Sequence, residues 1–193
     1  MIQRLPCKTC GELIHPDTAA KNNGLCMPCK GGYRANIEAS KRRREEDRLH
    51  EKSAERQHWL QLVRRVHETQ EGFQKLSPPE KTYFAVSCLI GEVYNGGFDQ
   101  FFSNSSGALY AHALDGLLEM QAEECAAQLA KAKQLLFGES VIPLDQVKRN
   151  AKMRQEASNP ELDALDKRFW ADPEGLGERC MQFAKAHSLY QDG

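Results

Sequence analysis

Three absences limit the kind of protein this sequence encodes. It has no apolar run near the eighteen residues that cross a bilayer, so it predicts no membrane span. Nothing resembling a signal peptide precedes the first cysteines, and three later cysteines stand singly in apolar patterns. We therefore expect a reducing, cytoplasmic compartment. No stretch alternates apolar and polar residues over the length of a strand, which predicts a helical protein.

Motifs for catalysis are also missing. The sequence contains no Gly-rich phosphate loop, no nucleophile elbow and no H-E-x-x-H motif. Its six histidines are scattered along the chain. His112 and Asp115, three residues apart on one predicted helix, come nearest to an acid–base pair, but a surface pair is the simpler interpretation. We expect a protein that is not an enzyme.

The charge of the chain is unevenly distributed, although the formal net charge of the 193 residues is only −1. Residues 1–76 carry fifteen Lys and Arg against ten Asp and Glu, whereas residues 77–147 carry three against nine. A basic beginning and an acidic centre indicate two surfaces with different partners.

Four cysteines near the N-terminus follow the pattern C-x2-C-x15-C-x2-C. They are Cys7, Cys10, Cys26 and Cys29. Two Cys-x-x-Cys loops at this spacing can place four thiolates around one tetrahedral Zn²⁺, with no coordination position left open for catalysis. Residues 1–34 have few large apolar side chains, so the metal would supply their folding free energy. The pattern predicts one structural zinc; paired disulfides or a redox dithiol are the alternatives, and the reducing context and the lack of a βαβ pattern disfavour them.

A charged stretch follows the cysteine module, and we assign residues 35–74 as a helical linker. No Pro or Gly interrupts residues 35–71, which predicts one long helix. Opposite charges three and four residues apart, such as Lys41/Glu45 and Arg42/Glu46, support a solvated helix. Only the second half has an apolar stripe, which begins at Trp59, so this half is expected to dock on the main domain.

The basic residues of this region also suit nucleic-acid phosphates, because a basic helix beside a zinc module is typical of nucleic-acid binding. The candidate contacts are Lys8, Lys21, Lys30, Arg34, Lys41, Arg42, Arg43 and Arg44. The alternative is a solvated linker whose charges pair with one another, since acidic residues nearly match the basic ones.

The remaining chain predicts an all-α, multi-helix bundle over residues 75–190. Ser77-Pro78-Pro79-Glu80 has the form of a capping box, and the helix it begins is apolar nearly all round to about Tyr94, as expected at the centre of a bundle. Further helices are predicted at about 108–119, 121–137, 145–157, 160–170 and 174–188. The fold class is therefore a helical bundle preceded by a small zinc-ribbon-like module and a long charged helix.

A continuous motif follows the central helix: Gly91-Glu92-Val93-Tyr94-Asn95-Gly96-Gly97-Phe98-Asp99-Gln100-Phe101-Phe102-Ser103-Asn104-Ser105-Ser106-Gly107. Structurally, Asn and the two Gly residues form a corner between helices, the three Phe residues enter the core, and Asn104 with the serines caps the next helix. Functionally, the same residues could form a polar pocket for a peptide or a small ligand. Its candidate members are Glu92, Tyr94, Asn95, Gly96, Gly97, Phe98, Gln100 and Asn104.

This motif resembles the signature of the bacterial DNA-mimic protein family, which reads roughly E-x-x-N-G-G-F-x-Q-[FY]-[FY]-x-N-S-S-G. The resemblance covers about residues 75–190 and does not extend to the cysteine module or the charged helix. It implies an all-helical domain that acts through protein–protein contact without catalysis. In members of that family an acidic surface imitates DNA phosphates and occupies the DNA site of a regulator.

Three functional hypotheses follow from the sequence. The first is a non-catalytic, zinc-containing adaptor or regulator that binds a protein partner through its helical domain. The second is a nucleic-acid-associated factor that contacts phosphates through the zinc module and the basic helix. The third is an enzyme of unrecognised type acting at the corner between Asn95 and Asn104. The sequence leaves the oligomeric state open, a dimer included.

Overall fold

The computed structural model describes residues 2–68, 72–153 and 159–191. In these residues the chain forms ten α-helices, two 3-10 helices and one two-stranded antiparallel sheet. It divides into two compact units, Met1–Ser53 and Ala54–Gly193. None of the described helices combines the length and the apolar character that crossing a bilayer requires. The all-α prediction is confirmed, with the small sheet as an addition inside the cysteine module.

The first unit contains the cysteine module and one long helix. Strands β1 (Leu5–Pro6) and β2 (Leu13–Ile14) pair antiparallel, and helices α1 (Pro16–Lys21), α2 (Met27–Lys30) and α3 (Arg34–His50) follow. Of the described residues of this unit, only Cys7, Asn22 and Cys26 are buried. A unit with so small an interior lacks the apolar burial that would stabilise it alone.

The single long helix expected over residues 35–71 is wrong, because the chain breaks into α3 and a second helix, α4 (Ala54–Glu68). Residues 51–53 form the turn between them. Helix α3 has no buried residue, whereas α4 buries Leu62 and packs Trp59 against the core, so packing supports only the second helix. Ser53, which directly precedes α4, is a residue type favoured at helix N-caps. Residues 69–71 lie outside the described residues.

The second unit is a helical bundle built around α5 (Pro78–Ser103). Around it lie a 3-10 helix (Gly72–Lys75), a second one (Ser105–Leu109), α6 (Tyr110–Glu119), α7 (Glu123–Phe137), α8 (Gln146–Lys152), α9 (Pro160–Trp170) and α10 (Leu176–Ala186). Helix α5 contacts α4, α6, α7, α8, α9 and α10, as expected of the central element. The Glu80 carboxylate accepts the backbone N–H of Ser77 at 2.8 Å, as the capping box predicts.

Several helix boundaries differ from the sequence prediction. Helix α10 begins at Leu176 rather than 174, because Gly175 adopts a left-handed conformation (φ 62°) and Asp172 accepts the Leu176 N–H at 2.7 Å. The first residues of the helix predicted at 108–119 belong instead to the 3-10 helix that precedes α6. Helix α8 ends at Lys152, and the rest of the helix predicted to residue 157 falls partly on residues 154–158, outside the described residues.

Candidate metal centre and helical corner

The structure brings the four N-terminal cysteines together. The sulfur atoms of Cys7, Cys10, Cys26 and Cys29 all lie within 4.8 Å of one another, and the Cys10 and Cys26 sulfurs are 3.7 Å apart. Tetrahedral coordination with metal–sulfur bonds of about 2.3 Å separates the sulfurs by about 3.8 Å. The seven cysteines of the chain are all free thiols. The donor set and its spacing therefore fit a single metal ion.

Two tight backbone loops position these sulfurs. In the first loop, the N–H of Cys7 donates to the Glu12 carbonyl at 2.8 Å, and the N–H of Gly11 donates to the Cys7 carbonyl at 2.9 Å. Gly11 has a φ of 75°, a left-handed conformation that favours glycine. In the second loop Cys26 precedes α2, and its own N–H donates to the Cys7 sulfur at 3.2 Å. This last bond joins the two loops through a ligand atom.

The thiols of the cluster have pKa values shifted in opposite directions. Backbone N–H groups of Cys26 and then Cys10 lower the pKa of Cys7 to about 6, because they stabilise its thiolate. Burial, followed by the neighbouring sulfurs of Cys26 and Cys10, raises the pKa of Cys29 to about 12. Four thiolates at this spacing repel one another unless a cation lies among them, and a divalent metal supplies that charge.

Arg34, the first residue of α3, lies directly against the cysteine cluster. Its Nη2 donates to the Cys10 sulfur at 3.1 Å and to the Cys26 sulfur at 3.4 Å, and it also forms an ion pair with Glu12. The side chain is only 20% exposed. Hydrogen bonds to Cys26 and Glu12 raise the pKa of the guanidinium further. Arg34 is one of the predicted phosphate contacts, but its guanidinium contacts sulfur and carboxylate instead.

The other candidate phosphate contacts divide into two groups. The ammonium of Lys30 donates to the Asn22 side chain at 2.7 Å, and that of Lys41 lies 3.2 Å from Glu38. By contrast, Arg42, Arg43 and Arg44 are exposed. None of the three has an ion-pair partner within the described residues. Lys8 and Lys21 are also exposed, and the Lys8 stem passes close to Gly24.

The ion pairs along the charged helix join different residues from those the sequence predicts. Instead of Lys41/Glu45 and Arg42/Glu46, the structure pairs Lys41 with Glu38 at 3.2 Å and Arg48 with Glu45 at 2.6 Å. These two pairs have a spacing of three residues with the acidic residue first, whereas Arg34 pairs with Glu38 four residues on, at 3.3 Å. The choice between spacings of three and four depends on rotamers of long side chains, which the sequence does not specify.

The corner motif assembles around the Glu92 carboxylate. Its Oε2 accepts from the side-chain amides of Gln100 at 2.7 Å and Asn104 at 2.9 Å, while Oε1 accepts from the Ser106 hydroxyl at 3.0 Å. The side chains of Asn104 and Ser106 thus donate to Glu92. The prediction that they cap the next helix is wrong. Ser106 is an additional member that the candidate pocket omitted. Of the eight candidate pocket residues, Gln100 and Asn104 are therefore hydrogen-bonded to a third, Glu92. The pocket itself stays a prediction.

The corner itself is a break in α5 at two glycines. Gly96 (φ −158°, ψ 22°) and Gly97 (φ 79°) leave the helical conformation at the place the sequence predicts. The Asp166 carboxylate of α9 accepts the N–H of Phe98, the first residue after the break, at 2.8 Å. A Cβ atom on Gly97 would lie 2.3 Å from Asp166 Oδ2, so both its conformation and the close approach of Asp166 favour glycine here.

Helix α9 also contacts the residues of α5 that precede this break. The Trp170 indole N–H donates to the Val93 carbonyl at 2.7 Å, three residues before the break. Phe169 packs edge-on against both Tyr94 and Phe98, at ring-centroid distances of 6.0 and 5.4 Å. These two candidate pocket residues therefore contact α9, whereas Glu92, Gln100 and Asn104 bond with one another.

A buried arginine holds the segment that follows the corner. Arg149 of α8 is completely buried and donates to the carbonyls of Phe102 at 2.7 Å, Pro143 at 2.9 Å and Leu144 at 2.9 Å, and also to the Asn104 carbonyl. Burial lowers the pKa of its guanidinium, while the carbonyl oxygens satisfy its N–H groups. Sequence reasoning missed Arg149, because its acceptors come from segments that no local pattern connects to it.

Acidic side chains gather at the N-terminal end of α7. We define this acidic cluster as Glu123, Glu124, Asp172 and Glu174. Glu174 accepts the backbone N–H of Cys125 at 2.8 Å, which holds the pKa of this glutamate below its ordinary value although burial opposes the shift. Burial, and then the carboxylates of Glu174, Asp172 and Glu124, raise the pKa of the Cys125 thiol to about 12. The carboxylates of the cluster therefore add to the effect of burial on the pKa of Cys125.

The candidate acid–base pair, in contrast, is not formed. The His112 ring packs edge-on against Phe73 at a centroid distance of 5.0 Å, and no hydrogen bond or ion pair joins it to Asp115 in the described structure. Both residues are exposed on α6.

Comparison with known proteins agrees with this architecture. A family model described as DMP19-like protein matches residues 74–187, which include the corner, the buried Arg149 and the acidic cluster. No curated protein and no solved structure matches the chain. The match begins after the cysteine module and the charged helix, so these lie outside the family domain. Because the match spans more than half of the sequence, the chain belongs to the DMP19-like family, whose name denotes a DNA-mimic protein.

Proposed function

We propose that this chain is a non-catalytic adaptor or regulator whose DMP19-like domain binds a basic surface on a DNA-binding protein. The observation that supports this proposal is the acidic cluster at the start of α7. Glu123, Glu124 and Asp172 are exposed, and Glu174 is partly buried beside them. A group of carboxylates on a domain of a DNA-mimic family can present negative charge to residues that otherwise contact phosphates.

The nearest cation does not neutralise this cluster by direct ion pairing. Arg179 donates from Nε to the Glu174 carbonyl at 2.7 Å and from Nη1 to the Met120 carbonyl at 3.0 Å, both backbone oxygens. Glu124, Asp172 and Glu174 each accept a hydrogen bond within the domain, but none of the four carboxylates forms an ion pair among the described residues. Residues 77–147 carry nine acidic side chains against three basic ones, so the surrounding sequence reinforces the negative sign.

A pull-down with matched charge reversals tests the proposal. The full-length, metal-loaded protein is the bait in a nuclease-treated lysate, beside the double variants Glu123→Lys/Glu124→Lys and Asp115→Lys/Glu139→Lys. We expect a DNA-binding protein retained by the wild type and the second variant but lost from the first, and displaced by added duplex DNA. Equal retention by both variants, or retention seen only in lysate that has not been treated with nuclease, would contradict the proposal. Circular dichroism checks that the substitutions at the start of α7 leave the helices folded.

We further infer that the ion of the cysteine cluster is a single structural Zn²⁺. Four thiolates and no open position are the donor set of structural zinc sites, where the metal supplies folding free energy. Metal analysis of the purified protein should find one zinc per chain, and Cys10→Ser should abolish it while the control Cys88→Ser retains it. Visible absorbance from an iron–sulfur centre would overturn the assignment.

A second candidate function is nucleic-acid binding by α3. The observation that favours it is the run of Arg42, Arg43 and Arg44, which are exposed and lack ion-pair partners in the described structure. Helix α3 carries six Lys and Arg against four Asp and Glu. Unpaired guanidinium groups can neutralise phosphates and release their counterions, which predicts an affinity that falls with salt.

A further inference from the structure

One face of α3 carries a shallow groove of about 300 Å³. We call it the α3 groove, and it is lined by Tyr33, Asn36, Ile37, Ser40, Lys41 and Arg44. These residues follow one another at alternating spacings of three and one, so that each is four residues from the next but one, and they share one side of the helix. The groove therefore places an aromatic ring, an amide and two cations along a single exposed strip.

We propose that the α3 groove binds single-stranded nucleic acid, with a base stacked on the Tyr33 ring and the adjoining phosphates on Lys41 and Arg44. This inference rests on the second candidate function and specifies its ligand. It is independent of the protein partner assigned to the DMP19-like domain.

The Tyr33 ring is held in place before any ligand binds. It is 42% exposed, and it lies against the backbone of Gly31, since a Cβ atom on Gly31 would be 2.4 Å from Tyr33 Cε1. The missing side chain of Gly31 lets the ring rest on the main chain at the start of α3. An aromatic ring that is already ordered loses little conformational entropy when a base stacks on it.

The charges of α3 are sorted around the helix axis. At 100° per residue, Lys41, Arg44 and Arg48 lie on the side of Tyr33, together with one acidic residue, Asp47. Glu38, Glu45 and Glu46 lie farther round toward the opposite side. The groove side thus carries these three cations against one carboxylate, a net positive charge, although the helix as a whole is nearly balanced. Its charge complements a phosphate backbone.

The two groove cations are free to change partners. Arg44 has no ion pair among the described residues, and the pair of Lys41 with Glu38 is exposed, with 60% of the lysine side chain accessible. Exposed pairs of this kind contribute little free energy, so a phosphate can replace the carboxylate. Tyr33 and Arg44 are eleven residues apart, about 16 Å along the helix, which leaves room for more than one nucleotide.

The aromatic ring distinguishes a single strand from other acidic partners. The bases of a duplex are stacked on one another and cannot stack on a side chain, whereas unpaired bases can. An acidic peptide would use Lys41 and Arg44 but has no flat ring system for Tyr33. The combination of ring and cations in one groove therefore favours unpaired bases.

Fluorescence anisotropy of a labelled oligothymidylate tests the proposal with the full-length, zinc-loaded protein. A length of about fifteen nucleotides covers the site sizes common for such surfaces. We expect binding that weakens with salt, a loss of about 5- to 150-fold for Tyr33→Ala, and little change for Tyr33→Phe. Arg44→Ala should weaken binding and flatten its salt dependence, while the matched control Arg42→Ala, from the opposite side of α3, should do so much less.

Each contrary result has a distinct meaning. Absence of binding at low salt would overturn both the groove and the nucleic-acid function. Equal losses for Arg44→Ala and Arg42→Ala, with Tyr33→Ala unchanged, would retain the function and overturn the groove. Displacement of the probe by polyglutamate as effectively as by unlabelled oligonucleotide would assign the groove to acidic peptides and also overturn the proposal. Metal content and circular dichroism confirm the fold of each variant.

Discussion

Removing the guanidinium of Arg34 should weaken metal binding by the cysteine cluster. Four thiolates around a divalent ion carry a net charge of about −2, and Arg34 is the cation whose contacts with the sulfurs of Cys10 and Cys26, at 3.1 and 3.4 Å, offset it. The same side chain pairs with Glu12, beside the first cysteine loop. Arg34→Ala therefore removes hydrogen bonds from two of the four ligands at once.

The expected size of this effect follows from those contacts. Loss of a residue that hydrogen-bonds metal ligands typically lowers metal affinity about 10- to 100-fold, or about 1.4 to 2.7 kcal/mol. Because two ligands are affected, we expect Arg34→Ala to fall within this range. Arg34→Lys should lose less, because it keeps the charge but cannot donate in a planar fork to sulfur and carboxylate together.

Competition with a chromophoric zinc chelator at fixed pH measures the affinity directly. Arg42→Ala is the matched control, since it removes an arginine from the same helix without touching the cluster. An affinity for Arg34→Ala within about twofold of the wild type would refute the reasoning.

The helical domain offers three further tests. Trp170→Phe should lower the free energy of unfolding by about 1 to 2 kcal/mol, because it removes the indole N–H that donates to the Val93 carbonyl. Denaturant titration measures this change, and an unchanged midpoint would contradict the prediction. Arg149→Leu should cost at least about 3 kcal/mol, whereas the exposed control Arg168→Leu should change stability by less than about 0.5 kcal/mol. Burial lowers the pKa of His58, so the folded state binds fewer protons than the unfolded state, and stability should fall as the pH drops through about 6.5. His58→Gln should flatten this part of the plot of stability against pH. Parallel plots for the variant and the wild type would disprove the role of His58.

Several features of this protein were determined by the sequence alone, because each depends on residues close together in the chain. The spacing of the four cysteines predicted a metal cluster, and their sulfurs lie within 4.8 Å of one another. Gly96 and Gly97 marked the break in α5, where Gly97 adopts a left-handed conformation (φ 79°) that favours glycine. The apolar periodicity predicted the helical bundle, and the corner motif predicted the family.

Other features were decided only by the tertiary structure, because they join residues far apart in the sequence. The corner depends on Trp170 and Asp166, which lie 77 and 68 residues from their partners in α5. Arg149 reaches the Phe102 carbonyl across 47 residues, and Arg34 reaches the Cys10 sulfur across 24. A local pattern reports which conformations a segment favours, but not which distant donor will satisfy a carbonyl or a thiolate. That choice is made when the helices pack and unpaired polar groups must find partners.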